Sequence, residues 1–311
     1  MNPATSFFDL NTHPAQGPAL VTIGVFDGVH LGHRRLLEGL VRQARQTGLR
    51  SVVVTFFPHP DLVLRGLHGR YYLTRPEEKE TLLRQQGIDD VYTLAFDDAL
   101  RQVSAEAFCR QLRQGLDMRE LSVGQDFALG HQREGNVSRL RQLGRELGYD
   151  VQVNDLVRDG RGKISSTALR HALETGDLPG ARRGLGRSHA VAGVVVRGAG
   201  RGRQLGFPTA NIAVWEQQVI PANGVYASKV WLGEESFLAA TNVGRRPHFD
   251  GEVLTVEPFI LDFERDIYGQ WLKVSFEVRL RDEQKFDSLD GLVTQIAADA
   301  EASRKLLGTQ D

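Results

Sequence analysis

Residues 19–57 read ALVTIGVFDGVHLGHRRLLEGLVRQARQTGLRSVVVTFF, and this stretch decides the fold of the first half of the chain. Ala19–Phe26 is a short, apolar, partly β-branched run that predicts a buried strand. The next segment carries apolar residues at helical spacing and stops at Gly48, which predicts a helix with a glycine at its end. Ser51–Phe57 predicts a second buried strand. Strand, helix and strand form a βαβ unit, so the two strands are expected to pair in parallel through a right-handed crossover.

The same alternation of strand and helix patterns continues to about residue 157. It predicts, in order, a helix opened by residues 74–77 and running through Gln86, a strand at Val91–Phe96, a helix at Ser104–Gln114, a strand at 121–123, a helix at Asn136–Leu147 and a strand at Val151–Val157. Five strands with intervening helices favour an α/β fold with a doubly wound parallel sheet.

The pattern changes near residue 180. Residues 167–186 predict short helices that connect two parts of the chain. From Ser188 onward the runs are short and β-branched, and they are separated by turn pairs such as Asn223-Gly224. This pattern of short strands and turns predicts a small antiparallel barrel or sandwich. The amphipathic pattern of Leu289–Leu307 predicts a C-terminal helix.

Composition excludes several classes of protein. The chain has 311 residues, which suggests about two domains, and 41% apolar with 25% charged residues excludes a disordered or fibrous protein. A net charge of -1 provides no global attraction to nucleic acid or anionic lipid. The single cysteine, Cys109, cannot form an internal disulfide. With no secretory signal pattern and no long apolar run, we expect a cytoplasmic protein that binds neither nucleic acid nor membrane. The sequence shows no coiled coil or obvious apolar seam, so we expect a monomer or weak oligomer.

The loop that follows the first strand carries the first chemical pattern. It places His30 and His33 one helical turn apart at the start of a helix, with Gly32 between them. A helix N-terminus at the carboxyl end of a parallel strand suits a phosphate group. The loop is neither a P-loop nor a dinucleotide fingerprint. Two alternatives stay open: a pair of surface histidines, or a zinc pair, although a third ligand at metal spacing is not evident.

This loop also shows a family resemblance. Gly24-x-Phe26-Asp27-Gly28-Val29 followed by His30-x-Gly32-His33 resembles the nucleotidylyltransferase signature of bacterial bifunctional riboflavin kinase/FAD synthetases. Further segments resemble signatures of the same module, in family order over about residues 20–170: Phe57-Pro58-His59-Pro60, Leu73-Thr74-x-x-x-Glu77-x-Lys79, Val123-Gly124-Gln125-Asp126-Phe127-x-x-Gly130 and Ile164-Ser165-Ser166-Thr167-Ala168-Leu169-Arg170.

The resemblance implies roles for residues of this first module. His30, His33 and Arg170 would stabilise negative charge on the ATP phosphates. The other residues implied in ATP binding are Gly24, Phe26, Asp27, Gly32, Ser165, Ser166 and Thr167, and those implied in flavin binding are Pro58, His59 and Asp126. Taken alone, the serines and threonine favour a plain helix N-cap over a phosphate site, and the two prolines indicate only a rigid turn. Asp126 stands where some relatives carry Asn.

A glycine- and arginine-rich run, Arg197–Arg203, opens the second chemical pattern. Taken alone it fits a solvated hairpin loop or an RNA contact. The residues that follow, Gly206-Phe207-Pro208-Thr209-Ala210-Asn211, resemble the Pro-Thr-Ala-Asn element of riboflavin kinases. The resemblance implies that Thr209 and Asn211 hold Mg²⁺ and the ATP phosphates, since hard cations prefer oxygen ligands. It also implies ATP contacts at Gly200 and Gly206.

Glu257 is the candidate catalytic residue of the second module. It is a carboxylate inside an apolar strand-like run, and in the family the matching Glu is the general base for the ribityl 5′-hydroxyl. The alternative is an exposed strand glutamate. The next residue, Pro258, predicts an edge position or a bulge. Residues 242–249 resemble another kinase signature, with His248 where relatives usually carry Thr.

Together these patterns predict an α/β doubly wound parallel sheet of the nucleotidylyltransferase type over residues 1–182, followed by an antiparallel β-barrel domain with a C-terminal helix over 183–311. The implied function is flavin cofactor synthesis: ATP-dependent phosphorylation of riboflavin to FMN, then adenylylation of FMN to FAD and pyrophosphate. The implied cofactor is Mg²⁺ with ATP. Two alternatives are a nucleotidylyltransferase with another substrate and a non-enzymatic binder of RNA or flavin.

Overall fold

The computed structural model describes residues 17–155, 158–159, 162–198, 202, 205–248 and 251–308. The chain forms two compact units. The first comprises the residues through His68 together with Pro76–Ser165, and the second comprises Gly69–Arg75 together with the residues from Ser166 onward. The boundary between residues 182 and 183 concerns functional modules and stays a prediction.

The first unit is an α/β fold. Its strands are β1 Ala19–Ile23, β2 Arg50–Phe57, β3 Asp90–Ala95, β4 Met118–Gly124, β5 Ala128–Leu129, β6 Gly135–Asn136, β7 Asp150–Asn154, β8 Arg158–Asp159 and β9 Gly162–Lys163. Its helices are α1 Leu31–Thr47, α2 Pro60–Arg65, α3 Pro76–Gln85, α4 Asp98–Arg101, α5 Ala105–Gly115 and α6 Val137–Leu147.

Five of these strands form one parallel sheet in the order β3-β2-β1-β4-β7. Alternate residues of β1 serve opposite faces: Val21 packs in a core with residues of α5 and α6, and Leu20 in a core with residues of α1 and α3. Burial on both faces explains why β1 and most of β2 read as continuous apolar runs. The predicted doubly wound sheet is confirmed. The strand order reverses between β1 and β4, which is where such folds bind ligands.

The second unit begins with two helices and continues as a β domain. Its helices are α7 Ser166–Glu174, α8 Leu178–Leu185 and α9 Leu289–Leu307. Its strands are β10 His189–Val196, β11 Asn211–Val214, β12 Gly224–Leu232, β13 Glu235–His248, β14 Gly251–Ile260 and β15 Trp271–Arg281. The strands form one antiparallel sheet in the order β11-β10-β15-β12-β13-β14.

The two ends of this sheet come together. The Ala210 N–H donates to the Pro258 carbonyl at 3.0 Å, and Thr209 pairs with Phe259 in an antiparallel bridge. The sheet is therefore nearly closed into a barrel, as predicted. Pro258 lies on β14, the last strand in the sheet order, at the seam where the two ends of the sheet meet. Within the residues that the structure describes, no helix is both long and apolar enough to cross a membrane.

Candidate active sites

The loop between β1 and α1 has a strained backbone. Phe26 and Val29 have positive φ angles of 52° and 38°, and Gly28 between them has 78°. Left-handed backbone at a non-glycine residue costs on the order of 1–3 kcal/mol and concentrates at functional sites. We call residues 24–33 the His loop.

The two histidines of the His loop lie face to face. His30 caps α1, where its Nδ1 accepts the His33 N–H at 3.2 Å, and the two rings stack with centroids 3.6 Å apart. The Phe26 ring meets the His33 ring edge-on at 5.1 Å. Burial, together with His30 and Lys79, lowers the pKa of His33 well below its ordinary value. His33 is therefore a neutral imidazole at pH 7.

His30 is buried, so it is not a surface histidine. The Nδ1 atom of His33 is also buried and has no hydrogen-bond partner among the described residues. Within the same residues, no group of three or more His, Cys, Asp or Glu side chains could hold a metal ion. The zinc alternative thus gains no third ligand from the described part of the chain.

The segment that precedes α7 runs beside the His loop. A Cβ placed on Gly32 would lie 3.7 Å from the Ile164 carbonyl oxygen, so the backbone next to Ser165 is close to this loop. Arg170 belongs to the second unit, as do Ser166 and Thr167. It is buried there, donates from Nε to the Tyr71 carbonyl at 2.6 Å, and stacks over the Tyr71 ring at 3.8 Å. The contact of these three residues with ATP stays a prediction.

The predicted flavin residues follow the strands that flank β1. Pro58 comes directly after β2, and buried His59 caps α2 by accepting the Asp61 N–H on Nδ1 at 3.1 Å. Asp126 is exposed just after β4, where its carbonyl accepts from Arg133 at 3.2 Å. Because β2 and β4 both pair with β1 in parallel, these residues lie at the same edge of the sheet as the His loop. Their contact with flavin stays a prediction.

The second candidate site is a cavity of about 720 Å³ in the second unit. Thr209, Asn211 and Glu257 all line it. The backbone bonds that close the barrel hold Thr209 and Asn211 beside the strand of Glu257. Glu257 is only 5% exposed and lies opposite Asn242 in the register of β13 and β14. It is therefore a buried carboxylate and not an exposed strand glutamate.

Glycines shape the approach to Thr209 and Asn211. Gly198 and Gly202 line the cavity, and a Cβ on Gly198 would collide with the Asn211 side chain. Gly206, with φ of 83°, makes the turn before Phe207. Gly200 lies outside the described residues.

Sequence reasoning missed one wall of this cavity. Arg281 on β15 donates from Nε and from a terminal nitrogen to the Asp299 carboxylate on α9, at 2.7–3.1 Å. Asp299 is 5% exposed and also accepts from Gln295 at 2.9 Å. The available signal was an acid on the buried face of α9, in line with Ser303 and Leu307 at four-residue spacing.

Comparison with known proteins follows the division into two sites. Residues 12–168 match the FAD synthetase family, and residues 185–307 match the riboflavin kinase family. The chain is 38% identical over 302 residues to a bifunctional riboflavin kinase/FMN adenylyltransferase of Escherichia coli (strain K12), with 96% of each chain covered. It is 32% identical over 299 residues to the enzyme of that description from Bacillus subtilis (strain 168), covering 93% of this chain and 94% of the relative.

A solved structure is also similar over almost the whole chain. It comes from Streptococcus pneumoniae and is described as a macrolide-efflux protein. It is 32% identical to this chain, with a TM-score of 0.86, and the match covers 94% of this chain and 96% of that one.

Proposed function

Since the chain belongs to the family of bifunctional riboflavin kinase/FMN adenylyltransferases and carries out both steps of flavin cofactor synthesis, we propose that each step has its own site. Riboflavin is phosphorylated in the barrel cavity, and FMN is adenylylated at the His loop. One observation carries this assignment: Thr209, Asn211 and Glu257 line one cavity of the second unit, whereas His30 caps α1 in the first unit and His33 lies in the first turn of that helix. The functional modules divide between residues 182 and 183.

The buried carboxylate of Glu257 supplies the base for the kinase step. It accepts the proton of the ribityl 5′-hydroxyl as that oxygen attacks the γ-phosphorus of ATP, and ADP leaves. Thr209 and Asn211 offer hydroxyl and amide oxygens in the same cavity, a donor set that fits a hard cation. These two residues would hold Mg²⁺, which when bound neutralises charge on the ATP phosphates.

Adenylyl transfer at the His loop needs no covalent intermediate. A phosphate oxygen of FMN attacks the α-phosphorus of ATP in line, the bond to the β-phosphate oxygen breaks, and pyrophosphate leaves. The free N–H groups at the N-terminus of α1 and the neutral His33 ring donate hydrogen bonds to the phosphate oxygens. Ser165, which belongs to the same unit as the His loop, supplies a further donor. The residues of the protein act by positioning and by stabilising charge.

The two-site assignment is tested by near-isosteric variants of the full chain. Glu257→Gln is expected to lose FMN formation from riboflavin by ~10²–10⁴-fold, the usual cost of losing a general base. FAD formation from supplied FMN is expected to stay at the wild-type rate. His33→Gln is expected to do the reverse, with a loss of ~10²–10³-fold in FAD formation, by analogy with removal of an oxyanion donor.

Each variant is the control for the other, since both are assayed for both steps with Mg-ATP and the flavins are separated by chromatography. A folded Glu257→Gln chain that loses FAD formation from FMN as severely as it loses the kinase step would mean one shared site and would overturn the assignment.

We also propose that the enzyme acts in the cytoplasm, where the ATP that both steps consume is available, as a monomer or weak oligomer. Sedimentation at increasing protein concentration tests the oligomeric state.

A further inference from the structure

A buried ammonium lies behind the His loop and has no part in the mechanism above. Lys79 on α3 is only 5% exposed. Its Nζ donates to the Thr55 hydroxyl at 2.9 Å and to the carbonyls of Val25 and Phe56 at 3.2 Å each. An ammonium has three N–H groups, and all three are used here. Lys79 therefore has no proton left for a phosphate oxygen and does not bind substrate directly.

The three acceptors of Lys79 belong to the carboxyl ends of two neighbouring strands. Val25 is the second residue of the His loop, after β1, and Thr55 and Phe56 are near the end of β2. The Thr55 hydroxyl also donates to the Val25 carbonyl at 3.0 Å. This network fixes Val25 immediately before Phe26, where the strained backbone begins. The position of Lys79 thus constrains the turn that leads to both histidines.

The charge of Lys79 also acts electrostatically on His33 in the His loop. Burial lowers the pKa of Lys79 to about 8, and nearby Asp27 opposes that change. Below that pH the group is a cation, and it is one of the causes that keep His33 neutral, after burial and His30. Among the described residues, Asp27 acts on the charge of Lys79, and His30 acts together with Lys79 on His33. Burying a charge is costly, so its retention needs an explanation that packing does not give.

We propose that Lys79 is a positioning residue for FMN adenylylation, which holds the His loop against the ends of β1 and β2 and places a fixed positive charge behind it. This inference rests on the proposed assignment of adenylylation to the His loop. It predicts two separable contributions, one from hydrogen bonds and one from charge.

Two variants of the full chain separate these contributions. Lys79→Met removes both the charge and the hydrogen bonds at similar side-chain length, whereas Thr55→Val removes only the hydroxyl of the network. We expect Lys79→Met to lower kcat for adenylylation by ~10–100-fold, because small misplacements of this kind are costly, with KM for ATP changed much less. We expect Thr55→Val to lower kcat less. The riboflavin kinase step should remain at the wild-type rate in both.

The histidine ring reports on the charge. The titration of His33, followed by proton NMR and identified by its loss in His33→Gln, is expected to move to higher pH in Lys79→Met and to stay in place in Thr55→Val. A merely structural role of Lys79 would not produce that difference. In the wild-type chain, adenylylation is expected to fall as the pH rises through about 8, when Lys79 loses its proton, while the kinase step does not follow. This wild-type measurement does not depend on the folding of any variant.

Three results would overturn the inference: a wild-type kcat in Lys79→Met, equal losses in the two variants with the His33 titration unmoved, or no fall of adenylylation specific to pH values above about 8. Failure of the proposed function looks different, since His33→Gln would then keep adenylylation at the wild-type rate.

Discussion

His189 on β10 is 4% exposed, and its Nε2 lies 2.9 Å from the Val219 carbonyl. Burial lowers its pKa from 6.5 to about 4. Between pH 4 and pH 6.5, His189 is therefore protonated in the unfolded chain but not in the folded chain. The neutral form of His189 therefore contributes fully to the free energy of unfolding above pH 6.5, and this contribution is lost as the pH falls toward 4. From about pH 7 to about pH 5, we expect this residue to remove about 2 kcal/mol of the free energy of unfolding.

The three tryptophans, Trp215, Trp231 and Trp271, all belong to the second unit, so their fluorescence during urea unfolding reports on this unit. His189→Gln retains a donor for the Val219 carbonyl but does not titrate. The variant should lose clearly less stability than the wild-type chain at the lower pH. If both chains lost the same free energy of unfolding at low pH, His189 would not be the cause of that loss.

Asn211 is the residue that tests the magnesium assignment. Its side chain lies against Gly198 in the wall of the cavity. If its amide oxygen holds the cation, Asn211→Ala should abolish most FMN formation at ordinary Mg²⁺ and recover part of it as Mg²⁺ is raised. FAD formation from supplied FMN serves as the internal control, because it takes place at the other site. Unchanged kinase kinetics at every Mg²⁺ concentration would remove Asn211 from the metal site.

The sequence could predict Glu257, Thr209 and Asn211 as one site because each belongs to a local motif. The sequence does not indicate the positioning role proposed for Lys79, although Lys79 is part of a family signature. Two of its three acceptors are backbone carbonyls that the fold brings from other elements, and backbone carbonyls carry no residue-specific pattern.

At the scale of elements, hydrophobic patterns predicted most helices and strands, but not helix α2 or the length of β13. The predicted helix at Leu289–Leu307 coincides with α9, and the predicted strand at Ser51–Phe57 differs from β2 by one residue. Helix α2, Pro60–Arg65, was not predicted, because Pro58 and Pro60 indicate a turn. Proline is nevertheless well suited to the first turn of a helix, where its missing N–H is not needed. The runs after Ser188 were predicted to be short, but β13 has 14 residues, because β14 continues to pair with it beyond the end of its pairing with β12.

Helix α9 is attached to the barrel by the ion pair of Arg281 and Asp299. Removing one partner of a buried pair leaves an uncompensated charge, so Asp299→Ala is expected to lower the free energy of unfolding by roughly 3–5 kcal/mol. Tryptophan fluorescence during urea unfolding measures this loss of free energy. Arg304→Ala is the matched control in the same helix, since Arg304 pairs with Asp262 and Glu301 on the exposed surface. Its unfolding midpoint should stay near that of the wild-type chain. Equal midpoints for Asp299→Ala and the wild-type chain would exclude Asp299 as an anchor.

At the scale of the whole molecule, the sequence predicted two domains from a change of pattern, and the structure adds how the chain is shared between two compact units. The predicted connecting helices α7 and α8 contribute Leu173 and Leu178 to the core of the second unit. The segment Gly69–Arg75 also belongs there, because the N–H groups of Tyr71 and Tyr72 donate to the Gln217 carbonyl at 2.8 and 2.9 Å. No local pattern signals such a distant pairing, since it depends on residues about 145 positions apart.

The proposed assignment of the two steps to separate sites predicts that FMN can pass between molecules. Glu257→Gln has a functional His loop but no kinase base, and His33→Gln has the opposite defect. Neither variant alone should make FAD from riboflavin and Mg-ATP at more than ~1% of the wild-type rate. Their mixture should make FMN first and FAD after a lag that shortens as more Glu257→Gln is added, because FMN released by one chain is captured by the other. Chromatography of timed samples measures both flavins, and supplied FMN confirms that Glu257→Gln is active. A mixture that accumulates FMN without FAD, although the same Glu257→Gln chain converts supplied FMN, would contradict free exchange of the intermediate.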